Sequence, residues 1–313
     1  MDDEILVSVI VPSLDGDAER LDELRNTLMN SGLARDQFEM MAVIGVSPNG
    51  RARDRGTIEA SGRYLLFLDD DVSFPDATDL KDIVTFLDTH EDAGLCGPAQ
   101  QIPPELSGRE RSRAEQLPRA HVEVVDQFRE TDMVTHACLC ISRRLFYEIG
   151  MEHPNLISGT DPDLREKVRR EGDKVGLVPG TRVFHPPLSD WRTMIEKNFT
   201  GGRRSRAVKR EYPEYHLSAE PDRTEAEGPE GNTLCSRVQR HLGLLQERIL
   251  QMELFGLSAQ VAYQLGYGWE SVFPAEWVDR IPYPNPSTPE QTEWEDFVNA
   301  LSDEGRIKWL HRP

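Results

Sequence analysis

Apolar residues come in short, evenly spaced runs along this chain, separated by polar stretches of helical length. Ile5 to Val11 is the first run, closed by Pro12-Ser13. Ala18 to Asn30 places Leu21, Leu24 and Leu28 at helical spacing, with Gly32 as a stop. Phe38 to Val46 is a second run, ended by Ser47-Pro48-Asn49-Gly50; Arg51 to Ser61 reads as a helix ending at Gly62, and Tyr64 to Leu68 is a third run. Runs this short and this apolar predict strands buried on both faces. Their β-α-β-α-β order predicts parallel strands with right-handed crossovers.

The same reading continues with a helix over Asp79–Asp88, a strand over Ala93–Ala99, a helix over Glu110–Phe128 and a strand over Met133–Ile141. A short helix over Arg143–Ile149, a helix over Asp161–Arg170, a strand over Lys174–Phe184 and a long polar helix over Asp190–Arg210 follow. Ser218 to Asn232 is acidic, contains Pro and Gly and lacks apolar side chains of any size, so it reads as a linker or exposed loop. Leu234 to Leu265 carries Val238, Leu242, Leu245, Ile249, Met252 and Leu257 near helical spacing, and a last helix falls around Glu290–Leu301. The expected organisation is an α/β domain over residues 1–213, an acidic linker over 214–232 and a helical extension over 233–313.

Composition narrows the function classes. The net charge is −19, from 36 basic and 55 acidic residues, and only six of the basic ones are Lys. An acid-rich, Lys-poor surface fits concentrated salt, where the Debye length shrinks to about 3 Å at 1 M. It speaks against generic nucleic-acid binding, which needs a basic face. The acidic start Met1-Asp2-Asp3-Glu4 is no signal peptide, and no window has the apolar length of a membrane span. Cys96, Cys138, Cys140 and Cys235 lack zinc spacing and read as reduced thiols of a cytoplasmic protein.

The chemistry centres on the third run, which leads straight into Asp69-Asp70-Asp71. Open α/β sheets bind ligands at the carboxyl ends of their strands. Three adjacent carboxylates repel one another unless a cation sits among them. Mg²⁺ often bridges such carboxylates to a substrate's phosphates. The competing reading is a solvated acidic turn. On an extended segment Asp69 and Asp71 point the same way and Asp70 the other, where it can accept a sugar or ribose hydroxyl.

Five stretches in order resemble the family 2 glycosyltransferases of the GT-A fold. They are Val7-Ser8-Val9-Ile10-Val11-Pro12-Ser13; Asn49 to Gly56 with Ala60 to Tyr64; Leu68-Asp69-Asp70-Asp71-Val72; Ala137 to Phe146 with Ile149-Gly150; and Gly159-Thr160-Asp161-Pro162-Asp163-Leu164 with Arg169 to Gly172. The likeness spans roughly residues 5–210. It implies a Rossmann-like, mostly parallel sheet flanked by helices. It also implies Mg²⁺ or Mn²⁺ at Asp69, Asp71 and His185, holding the diphosphate of a nucleotide-sugar donor, with UDP-sugar favoured. Ser13, Asp15, Arg53, Asp69 and Asp70 are the implied donor contacts. Asp161 is the implied general base, with Asp163 as second choice, and attack opposite the leaving group inverts the anomeric carbon.

Several of these residues have a plainer alternative. Asp161-Pro162 is a common helix start, and Thr160 with Asp163 fits a capping box. His185 fits a polar strand end, and Arg53 a solvated helix face. Two departures stand out: Thr160 occupies a place where the family usually has Glu, and Ile44-Gly45-Val46-Ser47-Pro48 lacks the acid that reads uracil in many relatives.

Lys197, Arg203, Arg204, Arg206, Lys209 and Arg210 form a basic cluster in an acidic chain. Contact with donor or lipid phosphates, attraction to anionic headgroups and salt bridging to the protein's own acids all fit. The salt-adapted composition is similar to archaeal enzymes that assemble dolichol-phosphate-linked glycans for N-glycosylation of surface-layer proteins. That likeness implies a lipid-phosphate-linked glycan acceptor and peripheral membrane contact. Two rivals are a nucleotidyltransferase, which would normally carry a basic Gly-rich loop where Ser13-Leu14-Asp15-Gly16-Asp17 is acidic, and a non-catalytic sugar-binding scaffold.

Overall fold

The computed structural model describes residues 6–117, 119–188, 190–213, 215, 253–284 and 291–313. The three leading apolar runs become β1 (Val7–Ser13), β2 (Phe38–Ile44) and β3 (Tyr64–Leu68), buried at every position. Between them lie α1 (Ala18–Met29) and α2 (Asn49–Glu59). Asp17 caps α1 by accepting the N–H groups of Glu19 and Arg20, and Leu21, Leu24 and Leu28 form its buried face. β1 pairs in parallel with both β2 and β3, as the crossover order requires.

The chain continues through α3 (Thr78–Thr89), β4 (Ala93–Gln101), α4 (Gly108–Ala114), β5 (Arg129–Glu130), β6 (Cys138–Ser142), α5 (Arg143–Glu148), α6 (Thr160–Arg170), β7 (Lys174–Phe184) and α7 (Trp191–Glu211). It closes with α8 (Leu254–Val272), α9 (Gln291–Ser302) and β8 (Arg306–His311). The eight strands lie in the order β5-β7-β4-β6-β3-β1-β2-β8. β4 and β7 are parallel, while β5, β6 and β8 pair antiparallel with their neighbours, so the sheet is mixed.

Alternate residues divide between two apolar layers. Val9, Ala42, Leu66 and Cys140 face one, and Ile10, Val43, Phe67 and Leu139 the other. Cys96, Cys138 and Cys140 are free and buried; Cys235 lies outside the described residues.

Three expectations change. The helix expected over Glu110–Phe128 is only Gly108–Ala114, opened by a Ser107–Glu110 capping box. Pro118 disfavours helical geometry at Leu117, and Arg119 takes φ 64. The stretch beyond runs along the sheet instead, with Val122 donating to the Gln100 carbonyl at 2.7 Å. The strand expected from Met133 starts at Cys138, because the preceding loop is held by side chains such as Arg165, which donates to the Val134 carbonyl at 2.7 Å. The tail read as helical also returns to the sheet: β8 extends β2, with Trp309 opposite Met41, and Phe297 and Leu301 of α9 are fully buried. Residues 216–252, which hold the expected linker and most of the Leu234–Leu265 segment, lie outside the described residues.

The insertion of β6 sets up the site. Because β6 runs against β3 and β4, its start lies beside their ends, with Leu68 opposite Cys138. The Asp69 N–H donates to the Ala137 carbonyl at 3.2 Å, and the His185 N–H to the Gln101 carbonyl at 3.2 Å. One edge of the sheet therefore gathers Asp69–Asp71, His136 and His185.

Candidate active site

Asp69, Asp71 and His185 offer ligand atoms that all lie within 4.8 Å of one another. His185 Nε2 is 3.5 Å from Asp71 Oδ1. Two carboxylates and one imidazole suit a divalent cation of the Mg²⁺ or Mn²⁺ kind, with the imidazole favouring the transition metal. Asp69 is the inner member. Burial raises its pKa above the ordinary carboxylate value, against the pull of Arg53, His136 and His185.

Asp70 points elsewhere, though not by strand alternation: β3 ends at Leu68, and Asp70 and Asp71 lie in the turn beyond it. It accepts from Ser13 Oγ at 2.5 Å and lies 3.3 Å from Arg20, which also pairs with exposed Asp15 at 2.6 Å. Ser13, Asp15 and Asp70 thus form one cluster at the end of β1. Arg53 is not on a solvated helix face. It is 3% exposed and sits 3.4 Å from both Asp69 and Glu152.

Asp161 lies across the cleft on α6. That helix starts at Thr160, preceded by Gly159 in the left-handed region at φ 82, with no side-chain cap. The Asp161 carboxylate is therefore not a cap. Its Oδ1 accepts the His136 backbone N–H at 2.8 Å and lies 2.7 Å from His136 Nδ1. Burial acts to raise its pKa, yet His136, through charge and hydrogen bond, and then Arg165 hold it far below the usual carboxylate range. Asp163 goes elsewhere, pairing with Lys167 at 3.0 Å, and no capping box with Thr160 forms.

Sequence reasoning missed His136 and Glu152. His136 Nε2 is 2.6 Å from Glu152 Oε1, and both side chains are buried. Burial and Arg53 push the imidazole down, but Glu152 and Asp161 outweigh them and raise it to about 9. Both residues sit in irregular segments with no periodicity, so only the fold brings them together.

A cleft of about 410 Å³ joins the two sides, lined among others by Arg53, Asp69, His136, Asp161, His185 and Arg204. The basic cluster splits. Arg203 and Arg210 pair with fully buried Glu270 of α8 at 3.0 and 3.4 Å. Arg206 donates to Ser271 at 2.8 Å. Arg204 instead borders the cleft, 5.5 Å from the centre of the Trp277 ring.

Residues 46–150 match the family described as Glycosyl transferase family 2. No curated protein matches the sequence. Among solved structures, the mannosyltransferase PcManGT from Pyrobaculum calidifontis, in complex with GDP-Man and Mn²⁺, aligns with a TM-score of 0.52 at 13% identity, over 86% of this chain and 88% of that one. S. aureus TarS 1-349, in complex with UDP-GlcNAc, aligns with a TM-score of 0.46 at 15% identity, over 68% of each chain. The eight-stranded mixed sheet flanked by helices is a GT-A-like α/β fold with a helical C-terminal part. With residues 46–150 matching that family, the chain is a glycosyltransferase.

Proposed function

We propose that this glycosyltransferase moves a sugar from a nucleotide-sugar donor to an acceptor hydroxyl with inversion at the anomeric carbon. One observation carries the reading: Asp69 and His185 of the cation-fitting cluster line the same cleft as Asp161. Mg²⁺ or Mn²⁺ at Asp69, Asp71 and His185 would neutralise diphosphate charge on the leaving group. The rest falls to the chain's own side chains. Asp161 takes the proton of the acceptor hydroxyl as the new sugar–oxygen bond forms and the sugar–phosphate bond breaks, general-base catalysis worth about 10²–10⁴-fold. Asp70, held by Ser13 and Arg20, with Asp15 beside it, meets the nucleoside of the donor. Arg53 steadies Asp69 at the edge of the cleft, with its buried Nε unpaired among the described residues.

The test is a panel of UDP- and GDP-sugars with Mn²⁺ or Mg²⁺ at high salt, read by calorimetric titration and release of nucleoside diphosphate. GDP-sugars belong in it because the Pyrobaculum enzyme was solved with GDP-Man and Mn²⁺. Metal-dependent binding by at least one donor is expected, lost in Asp71→Ala. A panel in which no donor binds with either metal sinks the reading.

The acceptor in this reading is a lipid-phosphate-linked glycan, of the dolichol-phosphate kind used in archaeal N-glycosylation of surface-layer proteins. It is supported by α8, which has no Lys, Arg or Asp, whose one Glu is buried, and which exposes Leu254, Leu265, Trp269 and Val272, with Phe273 just beyond. No helix among the described residues is long and apolar enough to cross a membrane, so contact would be at the surface. Flotation with anionic lipid vesicles should carry the protein upward, and Trp269→Ser with Phe273→Ser should release it. Protein that stays with the soluble fraction at every salt concentration removes the membrane part and leaves transfer untouched.

A further inference from the structure

Two of the closest contacts in the cleft wall fall on one atom. Asp161 Oδ1 meets His136 Nδ1 at 2.7 Å and the His136 backbone N–H at 2.8 Å, whereas Oδ2 has no hydrogen bond among the described residues. The far ring nitrogen of His136 is 2.6 Å from Glu152 Oε1, an ion-pair contact whose angle is not that of a hydrogen bond. Glu152 is itself built in: it is 1% exposed, its backbone N–H donates to Asp54 at 3.0 Å, and a Cβ at Gly50 would stand only 2.8 Å from its Oε2. Arg53 then bridges Glu152 to Asp69. Acid and base alternate without a gap from Asp161 through His136, Glu152 and Arg53 to Asp69.

We infer that His136 and Glu152 are a positioning pair for the base: His136 occupies Oδ1 of Asp161 so that Oδ2 alone meets the acceptor, and Glu152 fixes the other end of the ring. The inference rests on the reading of Asp161 as base. The pair also sets protonation. The titratable and charged groups facing it are Arg53 and Asp54 on α2, Asp69 after β3, Asp163 and Arg165 on α6 and Arg119 in the loop after α4. Among them the His136 imidazolium is kept to about 9, and Asp161 stays ionised well below the ordinary range.

The test uses the full chain. The reaction is donor hydrolysis with water as acceptor, with the UDP- or GDP-sugar that binds in the panel and Mn²⁺, across pH. In apo protein, the His136 imidazole is titrated by NMR. His136→Gln keeps a neutral hydrogen-bonding side chain and removes the charge. Its KM for donor should stay near wild type, while kcat falls and its acid limb moves up by about 1–3 pH units, the shift that a neighbouring opposite charge imposes on an Asp. Glu152→Gln should lower the NMR titration point of His136 from about 9. If Asp161→Asn hydrolyses donor like wild type, the base reading fails. If Asp161→Asn is inactive but His136→Gln keeps the wild-type kcat and acid limb, only the positioning pair fails. A His136 titration point unmoved by Glu152→Gln also overturns the pair, even if His136→Gln does not fold.

Discussion

The two walls of the cleft handle charge in opposite ways. On the cation-fitting side, Asp71 is 41% exposed, and its ion-pair contact among the described residues is His185 at 3.5 Å. On the opposite side, Glu152 is 1% exposed and meets His136 at 2.6 Å, with Asp161 held on the other ring nitrogen. Acids left partly solvated and under-compensated are ready for charge brought by a ligand. Acids compensated by the protein's own imidazolium are rigid before any ligand arrives, which suits a group that must be aimed. The first wall should therefore answer to metal, the second to pH and packing.

The largest expected effect tests that separation directly. Asp161→Asn should lower kcat by about 10²–10⁴-fold while leaving metal-dependent donor binding intact, since the loss is that of a general base. Asp71→Ala should do the reverse and remove the metal-dependent part of donor binding. Calorimetric titration beside single-turnover kinetics checks both. Loss of metal-dependent binding in Asp161→Asn would show that the walls are not independent.

Stability comes next. Removing His136 as Ala strands buried Glu152 and partly exposed Asp161, and breaking a buried ion pair from one side costs about 3–5 kcal/mol. Asp71→Ala should change stability by no more than about 0.5 kcal/mol, as for an ordinary exposed site. Denaturant melts of the metal-free proteins compare the two. Equal effects would mean that the walls do not differ in how their charge is held.

The pH dependence of that gap is a finer probe. His136 is raised in the fold, so its stabilisation is fully present below its unfolded value of 6.5 and is lost as pH rises through about 9. Asp161 is depressed, so its share is present above its unfolded value of 3.8 and is lost as the pH falls below that. Wild type should therefore exceed His136→Ala most between these two unfolded values, and the gap should narrow by pH 10. A gap that is flat from pH 6 to 10 would mean that His136 is not charged in the fold.

The same contrast explains what the sequence reveals. Asp69-Asp70-Asp71 is legible because all three acids sit together at the end of an apolar run, although it is the turn after β3, not strand alternation, that takes Asp70 to Ser13. The leading β-α-β-α-β order is legible for the same local reason. His136 and Glu152 carry no such mark. They meet because β6 enters the sheet between β3 and β4, and strand order is a long-range property. β8 escapes likewise: six residues after the α9 helix become a strand because β2 offers an open edge. Arg53 shows the converse failure, since a lone Arg on a polar helix gives no hint that it is 3% exposed and tied to Asp69.

The smallest expected effect concerns the neighbour that could be mistaken for the base. Asp163 stands two residues beyond Asp161, and on a helix that spacing sends the side chains in different directions. Its carboxylate pairs with Lys167 at 3.0 Å, and Lys167 also donates to the Met151 carbonyl and to Tyr283, each at 3.0 Å. Asp163→Asn therefore leaves Lys167 with two acceptors. Burial raises Asp163 above its ordinary pKa despite Lys167, so its charge is a mild liability in the fold and a neutral amide relieves part of it. The net cost should stay well under the roughly 3–5 kcal/mol of stranding a buried charge, since Lys167 keeps partners, with the kcat profile across pH unchanged. An Asp163→Asn protein that binds donor yet fails to transfer would move the base along α6 and dissolve the contrast between the two walls.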